Sequence, residues 1–261
     1  MHIAEILEDR PSISFEFFPP KTEKAAAALF ETIRELQALH PSFVSVTYGA
    51  GGTTRDLTHD LVLRILRDTD IPPVPHFTCV CHQREEIEQI LTQYAESGVR
   101  TILALRGDPP HNQPDYDRAG DAFQFAAELV SFIREFNNRG KHPGGGFGIG
   151  VAGFPEGHPE PQNRLHEMDH LMAKVDAGAD YICTQLYFDN HDFFDFRERC
   201  SLAGITVPIV AGIMPITTPG GMRRMAELAA GAHFPAALLR QLAGREEDPE
   251  SFAKAGIDYA T

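Results

Sequence analysis

A carboxylate stands among three phenylalanines near the start of this chain. In Ser12-Ile-Ser-Phe-Glu-Phe-Phe-Pro-Pro20, Glu16 lies near the end of a strand-like run that two prolines then stop. A carboxyl group in apolar surroundings is harder to ionise and can keep a proton to donate near neutral pH. Glu16 is therefore a candidate general acid; the alternative is a solvated glutamate beside a turn. Other strand-like runs also finish on polar groups. Thr47 and Tyr48 end one, His76 and Thr78 another, and Arg106, Gly107 and Asp108 a third. Phe154, Glu156, His158 and Glu160, then Gln185 and Tyr187, then Met214 follow the later runs. Burying unpaired polar groups costs free energy, so a purely structural scaffold has no need of such a set.

Two of these groupings are distinctive. Leu105-Arg-Gly-Asp-Pro109 sets a cation and an anion either side of a glycine. Glycine there lets the backbone approach a flat ligand or a phosphate, or else makes a tight turn with a local salt bridge. Gly157-His-Pro-Glu160 places an imidazole and a carboxylate in one rigid loop, or is a surface loop. The stretch Tyr48-Gly-Ala-Gly-Gly-Thr-Thr54 looks like a phosphate cradle, but the dinucleotide fingerprint needs glycine where Thr54 stands. It reads as a lid or an ordinary turn. No Walker motif, paired CxxC or helical HExxH is present.

The elements that must position these residues alternate along the chain. Strand candidates, rich in Val, Ile and Phe, fall at about 12–18, 43–48, 74–80, 100–106, 147–153, 180–187 and 207–213. Helix candidates lie near 22–39, 56–68, 83–97, 122–137, 162–176, 190–203 and 217–230, with further ones at about 235–243 and 248–255. Thr218 before Pro219 reads as an N-cap with proline at the first helical position. Gly98, Gly140, Gly178 and Gly204 are placed to end helices in the left-handed conformation. Seven βα units in one domain, residues 1–261, predict an α/β chain of the (β/α)8 TIM-barrel class. No eighth strand can be identified. Strand C-terminal ends form the functional face of such a barrel, and the polar groups above collect there.

Composition narrows the partners. A formal net charge of −14 and the lack of a dense basic cluster argue against nucleic acid. There is no apolar run of the roughly 18 residues a membrane span needs, and no secretory signal at the N-terminus. Cys79, Cys81, Cys183 and Cys200 make no disulfide framework or complete metal set, so core packing in a reducing cytoplasm is expected.

Taken in order, several segments resemble the catalytic barrel of the methylenetetrahydrofolate reductase family. They are Ser14-Phe-Glu-Phe-Phe-Pro-Pro20, Phe43-Val-Ser-Val-Thr-Tyr-Gly-Ala50, Pro75-His-Phe-Thr78, Ala104-Leu-Arg-Gly-Asp108, Gly157-His-Pro-Glu160, Lys174-Val-Asp-Ala-Gly-Ala179, Thr184-Gln185, Phe188-Asp189, Pro208-Ile-Val210 and Gly212-Ile-Met-Pro215. The resemblance implies bound FAD and ping-pong reduction of methylenetetrahydrofolate to methyltetrahydrofolate by NADH or NADPH. It makes Glu16 the general acid, Asp108 the carboxylate that meets pterin and influences flavin, and Gln185 an amide that binds folate and nicotinamide in turn. Tyr187 and Met225 are implied on the substrate side. Thr47, Tyr48, His76, Leu105, Arg106, Gly107, Phe125, Ala126, Phe154, His158, Glu160 and Lys174 are implied around the FAD, with Arg106 and Lys174 suited to its pyrophosphate.

The chain also departs from the family pattern. Phe154 and Phe125 stand where relatives carry tyrosine, Ala173 where some carry a basic residue, and Met225 where others carry phenylalanine. The family's last βα unit is not recognisable, and a homo-oligomer is expected. Two other classes stay open: a flavin-binding or assembly subunit without activity, and a metal-dependent lyase or aldolase using His76, Asp108, His158 and Glu160 as ligands.

Overall fold

The computed structural model describes residues 2–9, 11–49, 55–110, 113, 115–158, 163–229 and 232–261. Seven parallel strands follow one another in sheet order from β1 to β7, with helices between them. This is the expected α/β, TIM-barrel-like succession, and no eighth strand occurs among the described residues. The chain divides into two compact units, Met1–Val151 with Ala173–Tyr181, and Ala152–Met172 with Ile182–Thr261.

The first unit holds α1 (Ile3–Asp9), β1 (Ser14–Phe17), α2 (Glu23–Gln37), β2 (Phe43–Val46), α3 (Arg55–Asp68), β3 (Pro73–Thr78), α4 (Arg84–Glu96), β4 (Thr101–Leu105), α5 (Ala126–Asn138) and most of β5 (Gly148–Gly153). Its strands are in step: Glu16 lies beside Ser45, Ser45 beside Val74, and His76 beside Leu103. Side chains alternate between faces along a strand. One face therefore carries Glu16, Ser45, His76 and Thr78. The other carries Phe15, Phe17, Val44, Val46, Phe77, Ile102, Ala104, Ile149 and Val151. From Val44 onward these apolar residues are at most 1% exposed. Helix α3 covers β2 and β3, and α5 covers β4. Their buried residues, such as Leu61, Val62 and Ile65, and Leu129, Ile133 and Phe136, recur at helical spacing.

Rings fill the N-terminal end of the polar face. Phe43 and Tyr181 meet edge to face at 6.5 Å, and a Cβ on Gly150 would lie 2.3 Å from the Tyr181 ring. Helix α1, which the sequence pattern did not reveal, buries Ile3 and Ile6, and His2 Nδ1 sits 3.1 Å from the Arg100 carbonyl oxygen. The polar side chains are left at the strands' C-terminal ends.

The second unit contains the start of α6 (Arg164–Asp176), most of β6 (Tyr181–Thr184), α7 (Asn190–Leu202), β7 (Ile209–Val210), α8 (Pro219–Leu228), α9 (Ala236–Leu242) and α10 (Pro249–Ala260). Thr218 caps α8 with Pro219 at the first position, as expected. Strand β7 is shorter than its sequence run suggests. After Val210 the Gly212 N–H turns to the Thr184 hydroxyl at 2.9 Å. The four helix-ending glycines all have positive φ, from +66° to +111°. No cysteine is in a disulfide, and burial pushes the thiols of Cys79 and Cys200 up to about 11, which suits inert core packing. No helix among the described residues is long and apolar enough to cross a membrane.

Candidate active site

Glu16 does not sit in the apolar pocket its sequence neighbours suggest. Strand alternation sends Phe15 and Phe17 to the opposite face, and Phe18 is 60% exposed beyond the strand. The Glu16 carboxylate instead accepts from the Ser45 hydroxyl at 3.3 Å and lies 3.2 Å from Nε2 of His76. Its side chain is 49% exposed, whereas that of His76 is only 10% exposed. Burial pushes the Glu16 carboxyl up. The adjacent His76 ring, its charge and the Ser45 hydroxyl pull it down and prevail, leaving it below its ordinary value. Burial is the largest single influence on this carboxyl, and only the His76 and Ser45 contacts together outweigh it. His76 Nε2 lies off the line of a hydrogen bond to Glu16. Neither it nor Thr78 Oγ1, two residues further along the same face, has a hydrogen-bond partner among the described residues.

Thr47 and Tyr48 follow β2. The Thr47 N–H donates to Phe17 and its carbonyl accepts from Thr58, both at 2.9 Å. The Tyr48 hydroxyl is 3.0 Å from Nε2 of His82, whose Nδ1 is 3.0 Å from Glu86. Glu86 also pairs with Arg55. Burial holds the Tyr48 phenol well above its ordinary range. Its hydroxyl is engaged within the protein.

At the end of β4, Leu105 and Arg106 are half-buried and Asp108 is exposed. Their carbonyls are tied down: Cys79 N–H donates to Leu105 and Val80 N–H to Arg106, both at 3.2 Å. Gly107 has φ +81°, and a Cβ there would lie 2.7 Å from both Thr78 and Val80. Close packing of β3 therefore requires this glycine, whatever else approaches it. Phe125 precedes α5 and is 51% exposed, while Ala126 opens the helix half-buried. Lys174, in the last turn of α6, is half-buried.

In the second unit, the Phe154 and His158 rings meet edge to face at 4.8 Å. Glu160 lies outside the described residues, as do residues 50–54 of the glycine-rich loop. Gln185 N–H donates to the Gly153 carbonyl at 2.7 Å, and its side-chain Oε1 accepts from Leu186 N–H at 2.9 Å. That leaves the amide nitrogen of Gln185 as a donor. A shallow depression is lined by Phe154, Glu156, Gly157, Gln185, Leu186 and Ala232. Buried Glu156 reaches out of it to His233 Nδ1 at 2.6 Å. Tyr187 is 7% exposed and stacks on Phe193 at 5.2 Å. Met225 is 6% exposed in an apolar cluster with Ile216, Leu238, Leu242 and Phe252, so the structure spends it on packing.

Ser45, His82 and Arg118, which donates to the Gly107 carbonyl, hold candidate site residues but were not themselves singled out in the sequence, although Ser45 lies within one of the quoted segments. Only strand register could have signalled Ser45. Among the described residues no cluster of three or more His, Cys, Asp and Glu could hold a metal ion, and His76 faces Glu16.

A profile of the methylenetetrahydrofolate reductase family matches residues 2–261. The chain belongs to the methylenetetrahydrofolate reductase family. It is 37% identical over 254 residues to the 5,10-methylenetetrahydrofolate reductase of Pectobacterium carotovorum subsp. carotovorum, covering 97% of this chain and 80% of that one. It is 38% identical over 263 residues to methylenetetrahydrofolate reductase (NADH) 1 of Arabidopsis thaliana, covering 97% of this chain but 43% of the plant protein. A solved structure of a Clostridium thermocellum protein, described as binding two copies of 5-methyl-5,6,7,8-tetrahydrofolic acid, shares the fold. Its TM-score is 0.65 at 16% identity, over 99% of this chain and 86% of that one.

Proposed function

We propose that the protein reduces 5,10-methylenetetrahydrofolate to 5-methyltetrahydrofolate in a ping-pong cycle, with FAD bound and NADH or NADPH as the reductant. Its relatives' names supply the reaction, and one observation supports the chemistry: an ionisable carboxylate at the end of β1, 3.2 Å from a buried imidazole. Flavin, when bound, supplies hydride exchange between the nicotinamide and the folate. The residues fit such a group, because Thr78 Oγ1, beside the Glu16–His76 pair, is a buried polar atom with no hydrogen-bond partner among the described residues. By family resemblance, Thr47, Tyr48, His76, Leu105, Arg106, Gly107, Phe125, Ala126, Phe154, His158, Glu160 and Lys174 hold it.

Glu16 delivers the proton that the folate ring nitrogen needs when the five-membered ring opens, and His76 is its proton partner. Exclusion of water by a bound ligand strengthens the burial effect that already pushes this carboxyl up, favouring the protonated form when the proton is required. Asp108 and the Gln185 amide orient the pterin, and Gln185 binds the nicotinamide in the other half of the cycle. The protein works in the cytoplasm as a homo-oligomer. Stopped-flow mixing of the purified yellow protein with NADH, then with methylenetetrahydrofolate, tests this reading. Bleaching followed by folate-dependent recovery of the flavin absorbance is expected. Bleaching without recovery would leave only a flavin-binding subunit, and a colourless protein would remove the reading altogether.

A further inference from the structure

We infer that Arg118 is a positioning residue for the Arg106-Gly107-Asp108 turn, held in place by a clasp that runs from Tyr116 to Gln124. What that turn serves follows from the flavin reading above; how it is held follows from contacts alone. Three successive carbonyls at the end of β4 are tied. The first two, of Leu105 and Arg106, accept from the backbone of Cys79 and Val80. The third, of Gly107, accepts from Arg118 Nη2 at 2.6 Å. That carbonyl sets the plane of the peptide joining Gly107 to Asp108. Glycine imposes little preference of its own on this plane, so the external donor decides it. A guanidinium makes a charge-assisted bond, stronger than the neutral backbone bonds beside it.

The clasp gives Arg118 a fixed origin. Arg118 opens the 3-10 turn Arg118–Gly120, where Asp117 accepts from Ala119 N–H at 2.9 Å. Its own carbonyl accepts from Gln124 Nε2 at 2.5 Å. Three bonds fasten the clasp to the segment after β3. Asp121 accepts from Cys81 N–H at 2.9 Å, Ala122 N–H donates to His82 at 2.9 Å, and Gln83 Nε2 donates to Gly120 at 2.8 Å. Tyr116 adds its hydroxyl to the same Asp121 oxygen. Cys81 is a non-glycine residue at φ +61°, a backbone state that surrounding contacts must hold. The ends of β3 and β4 are thereby locked to one another through side chains from a single excursion, and Asp108 takes its orientation from that lock.

The test compares Arg118→Met and Arg118→Lys with the wild type in the full-length chain. In the flavin-free protein, amide exchange at Cys79, Val80 and Asp108 should be about ten-fold faster in Arg118→Met, with core helices unchanged. In the flavin-loaded protein, the Kd for FAD should rise by about ten-fold, the visible flavin band should shift, and the folate half-reaction should lose rate with little change in KM. Arg118→Lys should recover much of each loss. Unaltered exchange and an unaltered flavin band in Arg118→Met would overturn the assignment. So would a general rise in exchange that lysine does not repair, because Arg118 would then be a structural prop alone. If the wild type binds no flavin, the functional reading falls, while the exchange comparison still decides whether Arg118 holds the turn.

Discussion

The C-terminal ends of β3 and β4 contrast with those of β6 and β7. The first pair is dense with directed bonds: Cys79 and Val80 tie down β4, Arg118 ties Gly107, and His76 and Thr78 lie buried on one face. The second pair is sparse. Strand β7 is two residues long, Ile213 is 59% exposed and Met214 45% exposed, and Gln185 is fixed by two bonds. Under the proposed cycle the difference matches two tasks: a cofactor that stays bound would use the rigid, preorganised edge, and nicotinamide and folate in turn would use the region with few fixed contacts and the Gln185 amide nitrogen.

The strongest way to break this division is Glu16→Gln. Flavin reduction by NADH should survive, and the folate half-reaction should slow by about 10²–10⁴-fold, the usual worth of a positioned acid. Equal loss in both halves would show that Glu16 is not the proton donor. Gly107→Ala comes next. Its Cβ would lie 2.7 Å from Thr78 and Val80 at a backbone angle of +81°. About 2 kcal/mol of stability should be lost, read as a Tm lower by several degrees, and flavin should be held more weakly. Gly212→Ala sharpens the contrast. Its Cβ would lie 2.4 Å from the Thr184 carbonyl oxygen, so the chain around Gln185 must shift. KM for both substrates should rise by severalfold while the flavin stays bound. If instead the alanine at 212 released flavin and that at 107 did not, the roles of the two regions would be reversed.

The strand ends were legible because apolar runs and helical periodicity locate them, and the polar residues at those ends follow by reading one position further. Glu16, His76, Arg106 and Asp108 were picked out as candidates that way. What surrounds each was not legible. Ser45 reaches Glu16 only because β1 and β2 run parallel in one particular register, and the two residues are 29 apart in sequence. The phenylalanines beside Glu16 misled because neighbours in a strand face opposite ways. Met225 is buried by α9 and α10, elements whose packing no local pattern reveals. Helix α1 has seven residues, too few to show a repeat. Arg118 gave no sign, since its partner is a backbone carbonyl that any sequence would supply.

The smallest effect should come from Ser45→Ala, and its sign separates electrostatics from packing. Glu16 has a folded value below its ordinary 4.5 because the His76 and Ser45 contacts outweigh burial. A depressed carboxyl contributes stability that is present above its unfolded value and lost as pH falls through its folded value. Removing the Ser45 hydroxyl takes away one lowering contact, so the folded value rises and the contribution shrinks. Wild type should therefore melt slightly higher than Ser45→Ala near neutral pH, and the gap should close once acid has protonated Glu16 in both states. The pH profile of the folate half-reaction should move the other way, toward higher pH, because a less depressed carboxyl keeps its proton longer. A gap in Tm that stays constant down the acid limb would mean that Ser45 acts by filling space, and the Glu16–His76 pair would then set the proton affinity without it.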